Sequence, residues 1–401
     1  MKILIGGVPF GRDNVGDEAI LETVVNVVRE CSPDAELTVS TDDREATEKK
    51  LSVNTVPLFG FAPPYSKDEM RQSLESHDVF IWAGATGLSD YPEIPANMLR
   101  IAQEARNRTV VWNVGMNDEL NPAKYKLTSG KKKRLLDLVT AVTFGLVNGV
   151  DVWERGAINR AKTAIRTALD RADLVVVRDP ESREVVLDCG VSCEVVVGAD
   201  TALLLKPSES LKLEPDLDAL VKSGKPLFGL CVSAQRKIQN VDKLVNLLNR
   251  IVSDLSANIV FIPMNPVTDS DLMKDLHERM EPELQKSAVL FSGRREPDEV
   301  LALSQHLDVV ASSRLHLLIL SSIFHIPLIG ISRGSKVDNF LNPYGLKAVG
   351  TVEACDFDAF FNEVKRLIQE KDSFSQASKG VFQELKGRLD GAVGKLRKAL
   401  A

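Results

Sequence analysis

Short apolar runs alternate with longer segments of helical periodicity along nearly the whole chain. The runs lie at residues 3–5, 79–82, 110–114, 174–177 and 195–197 in the first half, and at 227–232, 259–262, 289–291, 307–311 and 328–331 in the second. Runs of this length, separated by helical segments, are typical of buried strands in parallel βαβ layers. The pattern therefore predicts an α/β protein with two Rossmann-like domains, each built on a parallel sheet.

The domain boundary is predicted between the apolar runs at 195–197 and 227–232, where the series of strand patterns is interrupted. Polar residues and two prolines, Pro207 and Pro215, interrupt it. A chain of 401 residues also exceeds a single core, since cores stop growing near about 250 to 300 residues. We predict an N-terminal domain over residues 1–205, with an insertion around 121–159, and a C-terminal domain over 206–375. Residues 376–401 are predicted to form a helix that packs across the domain junction, although a solvated helix would have the same pattern.

One apolar segment, residues 135–150, stands apart because four consecutive basic residues, 131–134, precede it. It is shorter than the ~20 apolar residues that a membrane span requires, and it contains Asp137 and Asn148. Our preferred interpretation is a buried helix. The alternative is a segment that rests on a membrane surface with its basic end at the lipid headgroups.

Composition narrows the classes of function. The net charge of −6 argues against a nucleic-acid partner, because duplex binding requires Lys and Arg to neutralise many phosphates. The five cysteines are odd in number and scattered, and the chain begins with a strand pattern and not a signal peptide, so we expect a reducing cytoplasm. Cys189 and Cys193 have no second Cys or His pair nearby to complete a zinc site, and we interpret them as small packed residues.

The most informative stretch is residues 313–316, with the sequence Ser-Arg-Leu-His. It follows the apolar run 307–311 and opens a helical segment predicted over 315–324, and Lys336 comes later in the chain. In open α/β sheets, ligands bind where a strand passes into a helix, and helix N-termini favour anions. Arg314, His316 and Lys336 therefore indicate a site for a small dianion. The alternative is structural: an arginine that caps a neighbouring element and a histidine satisfied in the core.

Polar residues follow other predicted strands in the same way. The first strand leads into Gly6-Gly7, and then Asn14 and Asp17 lie where the first helix begins. The spacing is not that of a dinucleotide-binding glycine motif, so hydride chemistry is set aside. Arg178 and Asp200 follow the runs at 174–177 and 195–197. Because strand ends face each other in a fold with two such domains, we expect these groups to converge on one cleft.

The order of these motifs strongly resembles the polysaccharide pyruvyl transferase family. The matching segments are Gly6-Gly7, Asn-Val-Gly-Asp-Glu-Ala at 14–19, Ala-Asp-Leu at 172–174, Val-Arg-Asp-Pro-Glu-Ser at 177–182, Asp200, Arg-Leu-His at 314–316 and Lys-Val-Asp at 336–338. The resemblance implies a GT-B-like architecture, with two Rossmann-like domains whose sheets face a cleft. It also implies transfer of pyruvate from phosphoenolpyruvate onto two hydroxyls of a sugar, forming a cyclic ketal, without a metal or cofactor.

The resemblance also assigns roles to residues of this chain. On the donor side, the residues expected to bind phosphoenolpyruvate are Arg178, Arg314, His316 and Lys336. On the acceptor side, the expected residues are Gly7, Asn14, Asp17, Gly84 and Asp200. His316 is our hypothesis for the acid near the phosphate, and Asp17 for the base that takes a hydroxyl proton. We further expect Arg314 to line the cleft as a cation repelled by its neighbours, so that its loss leaves the fold intact.

Two segments depart from the family pattern, and other functions remain open. A run of glycines is usual where this chain has Trp-Ala-Gly-Ala-Thr-Gly-Leu at 82–88, and residues 121–159 form a longer segment than expected. Both lie on the acceptor side, so the acceptor sugar, the polymer made (exopolysaccharide, capsule or cell wall) and any lipid linkage stay open. The alternatives are a GT-B glycosyltransferase that uses a nucleotide sugar, or a non-catalytic scaffold. Peripheral contact with the inner membrane face and the oligomeric state are also open.

Overall fold

The computed structural model describes residues 1–61, 66–209 and 211–401. Within them the strands form two parallel sheets, in the orders β3-β2-β1-β4-β5-β6-β7 and β10-β9-β8-β11-β12. The strands of the first sheet are β1 Lys2–Gly7, β2 Glu36–Thr41, β3 Asn54–Pro57, β4 Val79–Ala83, β5 Arg108–Val114, β6 Leu174–Val177 and β7 Val195–Val197. Those of the second sheet are β8 Leu227–Cys231, β9 Asn258–Phe261, β10 Ala288–Leu290, β11 Val309–Ser312 and β12 Leu328–Gly330.

Helices connect the strands and cover both sheets. Those of the first half are α1 Val15–Cys31, α2 Arg44–Leu51, α3 Lys67–Glu75, α4 Gly87–Asp90, α5 Glu93–Glu104, α6 Pro122–Tyr125, α7 Lys131–Val142, α8 Gly149–Leu169 and α9 Pro180–Asp188. Those of the second half are α10 Pro215–Lys222, α11 Val241–Leu255, α12 Pro266–Glu278, α13 Pro282–Gln285, α14 Pro297–Ser304, α15 Leu315–Ser322, α16 Ser335–Leu341, α17 Phe357–Gln369 and α18 Lys371–Leu400. Single 3-10 turns occur at Thr201–Leu204 and Asn342–Tyr344.

The predicted α/β class with two parallel sheets is confirmed. The apolar runs coincide with strands that are buried on both faces, such as β4 and β6, whose residues are all buried. The pattern did not include β2 and β3, which end the first sheet and carry Thr, Ser and Pro. Several of their polar side chains are buried and find hydrogen-bond partners there; Ser40 Oγ, for example, donates to the Pro57 carbonyl at 2.9 Å.

The two domains meet along α1. Its apolar residues belong to one buried cluster together with β1, the strands of the second sheet and α15. At the start of the helix, the Val15 amide donates to the Met264 carbonyl of the second domain at 2.9 Å. The N-terminus of α1 is therefore held against the second domain, close to the carboxyl ends of both sheets.

The C-terminal helix α18 contacts both domains. Phe374 stacks on Tyr344 and Phe382 meets His325 edge-on, which ties the first half of the helix to the second domain. Near the other end, Arg108 Nη1 of β5 donates to the Ala399 carbonyl at 2.9 Å. The predicted domain limits of 1–205, 206–375 and 376–401 stay a prediction, with α18 beginning a few residues before the last of them.

The preferred interpretation of residues 135–150 as a buried helix is wrong. The segment is a helical hairpin: α7 ends at Val142, the chain turns at Gly145 with a φ of +79°, and α8 begins at Gly149. No residue of α7 is buried. The helix packs on α8, where Gly149 lies against the Leu136 backbone, and its outer face is left to solvent.

Candidate active site

A cavity of about 290 Å³ lies between the two domains, at the carboxyl ends of the strands. Ligand pockets are commonly about 300 to 1,000 Å³, so this volume suits a small ligand. We call it the cleft pocket. Its charged and amide-bearing lining residues are Arg12, Asn14, Asp17, Asp90, Arg178, Gln235, Asn265, Arg314, His316, Arg333 and Lys336.

Most of the residues predicted for the site come together in the cleft pocket. Its lining includes Asn14, Asp17, Arg178, Arg314, His316 and Lys336. Three residues predicted to bind the acceptor do not line it. Gly7 is packed against the Ala83 carbonyl and the Phe10 ring, Gly84 is packed against Ile20, and Asp200 lies behind His316. These three support the pocket from outside its surface.

The N-terminal turn of α1 brings Asn14 and Asp17 to His316. Asn14 caps the helix by accepting from the Gly16 amide at 3.3 Å, and its Nδ2 donates to Asp17 Oδ2 at 2.7 Å. A side chain at Gly16 would collide with the His316 ring, so the glycine allows the imidazole to approach the helix. Burial raises the pKa of Asp17, although the charges of His316 and Lys336 oppose that shift. A carboxyl group with a raised pKa is suited to proton transfer.

A chain of charges lies behind this pair. Asp200 Oδ2 is 3.5 Å from His316 Nε2 and 3.6 Å from Arg178 Nη1. Arg178 also donates from Nε to Asp179 Oδ2 at 3.1 Å. Burial disfavours the charged form of Asp200, but His316 and Arg178 outweigh it, and the pKa of Asp200 is lowered. Asp200 therefore carries a negative charge that orients His316 and Arg178.

Arg314 binds a buried acid of the second domain. Its Nε and Nη2 donate to the two carboxylate oxygens of Asp269 at 3.0 and 2.6 Å, and Nη2 also donates to Thr268 Oγ1. The Asp269 side chain has no exposed surface. This ion pair argues against the expectation that loss of Arg314 leaves the fold intact. Without Arg314, the buried Asp269 carboxylate would have no ion-pair partner.

Arg333 and Lys336 supply cations that are less fully paired. Arg333 donates from Nη2 to Gln235 Oε1 at 2.5 Å, while its Nε is buried without a hydrogen-bond partner among the described residues. Burial and the nearby Arg314 lower the pKa of Arg333 to about 10. Burial and the charge of Arg333 lower the pKa of Lys336 to about 8. Both shifts reflect positive charges that are packed together and removed from water.

Several lining residues were missed by the reasoning from sequence. Arg333 follows β12 at its carboxyl end, just as Arg178 follows β6, so the same strand-end rule could have found it. Arg12 and Tyr91 lie in loops without any periodic pattern. Asn265 caps α12 by accepting from the Val267 amide. From sequence this capping role is enough to explain the residue, so nothing indicates that it also lines the pocket.

The arrangement can bind a small anion and move protons beside it. Within the described residues no group of three or more His, Cys, Asp and Glu side chains is placed to hold a metal ion. The cleft pocket instead carries four arginines, a lysine and a histidine against two carboxylates, Asp17 and Asp90. Guanidinium groups bind planar carboxylate and phosphate groups in pairs of hydrogen bonds, and lysine adds a point charge.

Comparison with family models decides which family has this site. The model described as "Polysaccharide pyruvyl transferase" matches residues 14–143 and 151–335. This chain belongs to the polysaccharide pyruvyl transferase family. The matched region includes Asn14, Asp17, Arg178, Arg314 and His316 and ends one residue before Lys336. A comparison with curated proteins gave no significant match.

Solved structures share the fold of this pyruvyl transferase family member at low sequence identity. A putative UDP-N-acetylglucosamine 2-epimerase from Listeria monocytogenes superposes with a TM-score of 0.60 and 11% identity, over 94% of this chain and 90% of that one. Anabaena HepE in complex with UDP-glucose superposes with a TM-score of 0.58 and 14% identity, over 100% and 98%. The predicted GT-B-like fold class is thereby confirmed.

Proposed function

We propose that this protein transfers pyruvate from phosphoenolpyruvate to two hydroxyls of a sugar in a polysaccharide or a lipid-linked glycan precursor, forming a cyclic ketal. The observation that carries the proposal is the cluster of Arg314, Arg333 and Lys336, which faces the carboxyl group of Asp17 across a small pocket. Membership of the family supports pyruvyl transfer. The donor and the ketal product are our proposal.

The donor is assigned to the cationic side of the cleft pocket. Phosphoenolpyruvate carries a carboxylate and a phosphate, and both need several donors. Arg178 Nη2 and Arg333 Nε are buried without hydrogen-bond partners among the described residues. Both arginines line the pocket, so each has hydrogen-bonding capacity beside the donor site that the described protein groups do not use. Lys336 would add its charge beside the phosphate.

The first chemical step forms a C–H bond. His316 donates a proton to the methylene carbon of phosphoenolpyruvate, and the neighbouring carbon becomes an oxocarbenium-like centre. Asp200 Oδ2 lies 3.5 Å from Nε2 and orients the ring for this step. The carboxylate and phosphate of the donor are meanwhile held by the arginines and Lys336, so the charge that develops lies in a site already organised for it.

The next steps join the sugar and release phosphate. A first sugar hydroxyl adds to the cationic carbon, and its proton passes to Asp17. The C–O bond to phosphate then breaks, and inorganic phosphate leaves with the electron pair. A second hydroxyl adds to the same carbon, passes its proton to the His316 ring that gave one up in the first step, and closes the ring, while the proton held by Asp17 leaves with the phosphate. One phosphoenolpyruvate and one diol thus give one ketal and one phosphate.

The acceptor is assigned to the first-domain side, where Asn14, Asp90 and Tyr91 line the pocket. Tyr91 is 39% exposed and lies beside the opening, where its ring can pack against a sugar face. Asp90 Oδ1 accepts from Asn117 Nδ2 at 2.8 Å and Oδ2 accepts from Thr86 Oγ1 at 2.5 Å, so its orientation is fixed. Carboxylate and amide groups in this arrangement can accept and donate hydrogen bonds to hydroxyls.

Product analysis tests the proposal directly. The protein is incubated with phosphoenolpyruvate and a panel of sugars and lipid-linked glycan precursors, and phosphate release is followed together with product mass. We expect phosphate release only with an acceptor, and a product that gains one pyruvate and loses one water. Phosphate release without such a product, or glycosyl transfer from a nucleotide sugar, would contradict the proposal.

A nucleotide-sugar glycosyltransferase is the second candidate. Its support is that structures with this fold, including S. aureus MnaA and Anabaena HepE, are described in complex with UDP or UDP-glucose. At 12 to 14% identity this likeness shows the fold alone. The family match favours pyruvyl transfer, and ligand binding separates the two candidates.

A further inference from the structure

The hairpin formed by residues 131–152 exposes an unusual amount of apolar surface. Of the twelve large hydrophobic side chains that are exposed in the described residues, eight lie on this hairpin. They are Leu135, Leu138, Val139, Val142, Phe144, Leu146, Val147 and Val152. Phe144 is 95% exposed and Leu146 is 89% exposed. Contiguous apolar surface of this kind marks an interaction site, because soluble proteins rarely leave it in water. We call residues 131–152 the apolar hairpin.

Charge is arranged along the apolar hairpin in a second pattern. Residues 138–150 contain no charged side chain, whereas four basic residues, 131–134, stand at the start of α7. Asp137 lies between the two zones and is paired with Lys133 at 2.9 Å. The Lys132 ammonium lies 3.7 Å from the centre of the Trp153 ring. The tip is therefore uncharged and apolar, with the exposed Asp151 just after it, and the four basic residues at the start of α7, which we call the basic collar, stand at the opposite end of the hairpin.

The turn of the apolar hairpin is a formed structure. Asn148 Oδ1 accepts from the Asp151 amide at 3.1 Å and caps α8. Thr140 Oγ1 accepts from the Gly149 amide at 2.9 Å, and Thr143 Oγ1 accepts from the Val147 amide at 3.3 Å. These bonds satisfy backbone groups that would otherwise be costly to remove from water. The tip can therefore enter an apolar phase without unfolding.

We propose that the apolar hairpin docks this protein on the surface of an anionic lipid bilayer. The tip, with Phe144 and Leu146, inserts into the boundary between headgroups and acyl chains, and the basic collar contacts anionic headgroups. A second copy of the chain fits less well, because it would present the same basic residues and no anionic surface to pair with them. Within the described part of the chain no helix is long and apolar enough to cross a membrane, so the contact is interfacial.

The apolar hairpin differs from the family pattern at its tip, and the segment that leads to it lies beside the cleft pocket. The family match leaves out residues 144–150, so the apolar tip lies outside the region shared with the family model. The segment that leads to the hairpin also borders the cleft: the Asp118 amide donates to Ser335 Oγ at 3.3 Å, and a cavity of about 530 Å³ joins residues 117–122 to Tyr91 and Lys336. If the proposed function holds, docking would bring this opening towards a lipid-linked acceptor.

Vesicle co-sedimentation of the full chain, without substrate, tests docking independently of the reaction. Vesicles of phosphatidylcholine alone are compared with vesicles that also contain phosphatidylglycerol. We expect binding to the anionic vesicles and its weakening by salt. The double variant Phe144→Asp, Leu146→Asp should bind at least about tenfold more weakly, since charge on the inserted face opposes burial. Lys131→Gln with Arg134→Gln should also weaken binding, by about tenfold or more.

Val267→Asp is the matched control, because Val267 is 79% exposed but lies on α12, away from the hairpin. It should bind vesicles as the parent does. The proposal is overturned if the parent does not sediment with anionic vesicles, or if the hairpin variants bind as well as the parent. It is also overturned if the parent is a dimer in solution that Phe144→Asp, Leu146→Asp converts to a monomer, with no vesicle binding by either.

Discussion

The two walls of the cleft pocket differ in charge and in what lies behind them. The wall from the first domain carries both lining carboxylates, Asp17 and Asp90, together with Asn14, Tyr91 and two arginines, Arg12 and Arg178. The wall from the second domain contributes Arg314, His316, Arg333 and Lys336, and no carboxylate among its described lining residues. In the proposed reaction Arg178 joins the cations of the second wall in binding the donor, while Asp17 and Asp90 face the acceptor hydroxyls. The difference teaches that the excess of positive charge in the pocket comes from the second domain, since the two arginines of the first wall are matched by its two carboxylates.

The acids that balance the cations stand mainly behind the lining surface. Asp269 neutralises Arg314 from within the second domain, and Asp179 and Asp200 do the same for Arg178 in the first. These ion pairs fix the guanidinium groups before any ligand arrives, which limits the ordering cost of binding. Among the described residues no carboxylate forms such an ion pair with Arg333 or Lys336. A ligand anion would therefore compete least with protein carboxylates at these two cations.

The largest expected effect is a loss of turnover when Asp17, on the first-domain wall, is changed. Asp17→Asn should lower kcat by about 10² to 10⁴, the usual contribution of general acid–base catalysis, because the amide cannot take the hydroxyl proton. Donor affinity should be unchanged. Steady-state phosphate release and calorimetric titration of phosphoenolpyruvate measure the two quantities. Asp34→Asn, at an exposed carboxylate after α1, is the control and should leave both unchanged. Equal loss of donor affinity and turnover in Asp17→Asn would contradict the division between the walls.

The next largest expected effect is a loss of stability when Arg314, on the second-domain wall, is changed. Arg314→Ala should lower the free energy of unfolding by about 3 to 5 kcal/mol, because it leaves Asp269 buried and unpaired. Chemical denaturation measures this change. Arg12→Ala is the matched arginine control: its pair with Asp42 is exposed, so the change should stay below about 1 kcal/mol. An Arg314→Ala protein as stable as the parent would show that the Asp269 pair does not hold this wall together.

A smaller effect is on donor affinity. Lys336→Gln should weaken phosphoenolpyruvate binding by about 1.5 to 3 kcal/mol, roughly 10- to 150-fold, since a charge-assisted hydrogen bond is lost. Stability should not fall, because burial and the charge of Arg333 both disfavour the cation at Lys336 in the empty pocket. Calorimetry gives the affinity, and the melting temperature is the control measurement. Unchanged affinity would place the phosphate away from Lys336.

The smallest expected effect is a pH dependence of the same affinity. The pKa of Lys336 is lowered to about 8 in the empty pocket, so the cation is present below that pH and is lost above it. Donor affinity should therefore decline as the pH rises through about 8. Lys336→Gln should remove the decline, since no titrating cation remains at this position. A decline that persists in Lys336→Gln would assign it to another group.

The sequence predicts the sheet architecture better than it predicts the contacts of the site. Buried strands such as β4 and β6 are apolar throughout, so a single run identifies each of them. The pairing of Arg314 with Asp269 joins positions 45 residues apart, and nothing local to either residue indicates it. Asp200 likewise follows a strand as a ligand-binding residue would, yet its carboxylate turns to His316 and Arg178.

The apolar hairpin shows a different limit of sequence reasoning. Its apolar spacing is the same whether the partner is a protein core or a membrane surface, so periodicity alone could not separate the two. The basic residues 131–134 were the available signal for an exposed position. Which face a helix buries depends on the elements that pack on it, and here α8 covers one side of α7 only.

Calorimetric titration of the parent and of the double variant Arg333→Gln, Lys336→Gln with phosphoenolpyruvate and with UDP-glucose tests the central claim most directly. We predict that phosphoenolpyruvate binds the parent without an acceptor, that the double variant loses this binding while it keeps the melting temperature of the parent, and that UDP-glucose binds neither. Binding of UDP-glucose to the parent, with no binding of phosphoenolpyruvate, would contradict the assignment of the second-domain wall to a pyruvyl donor.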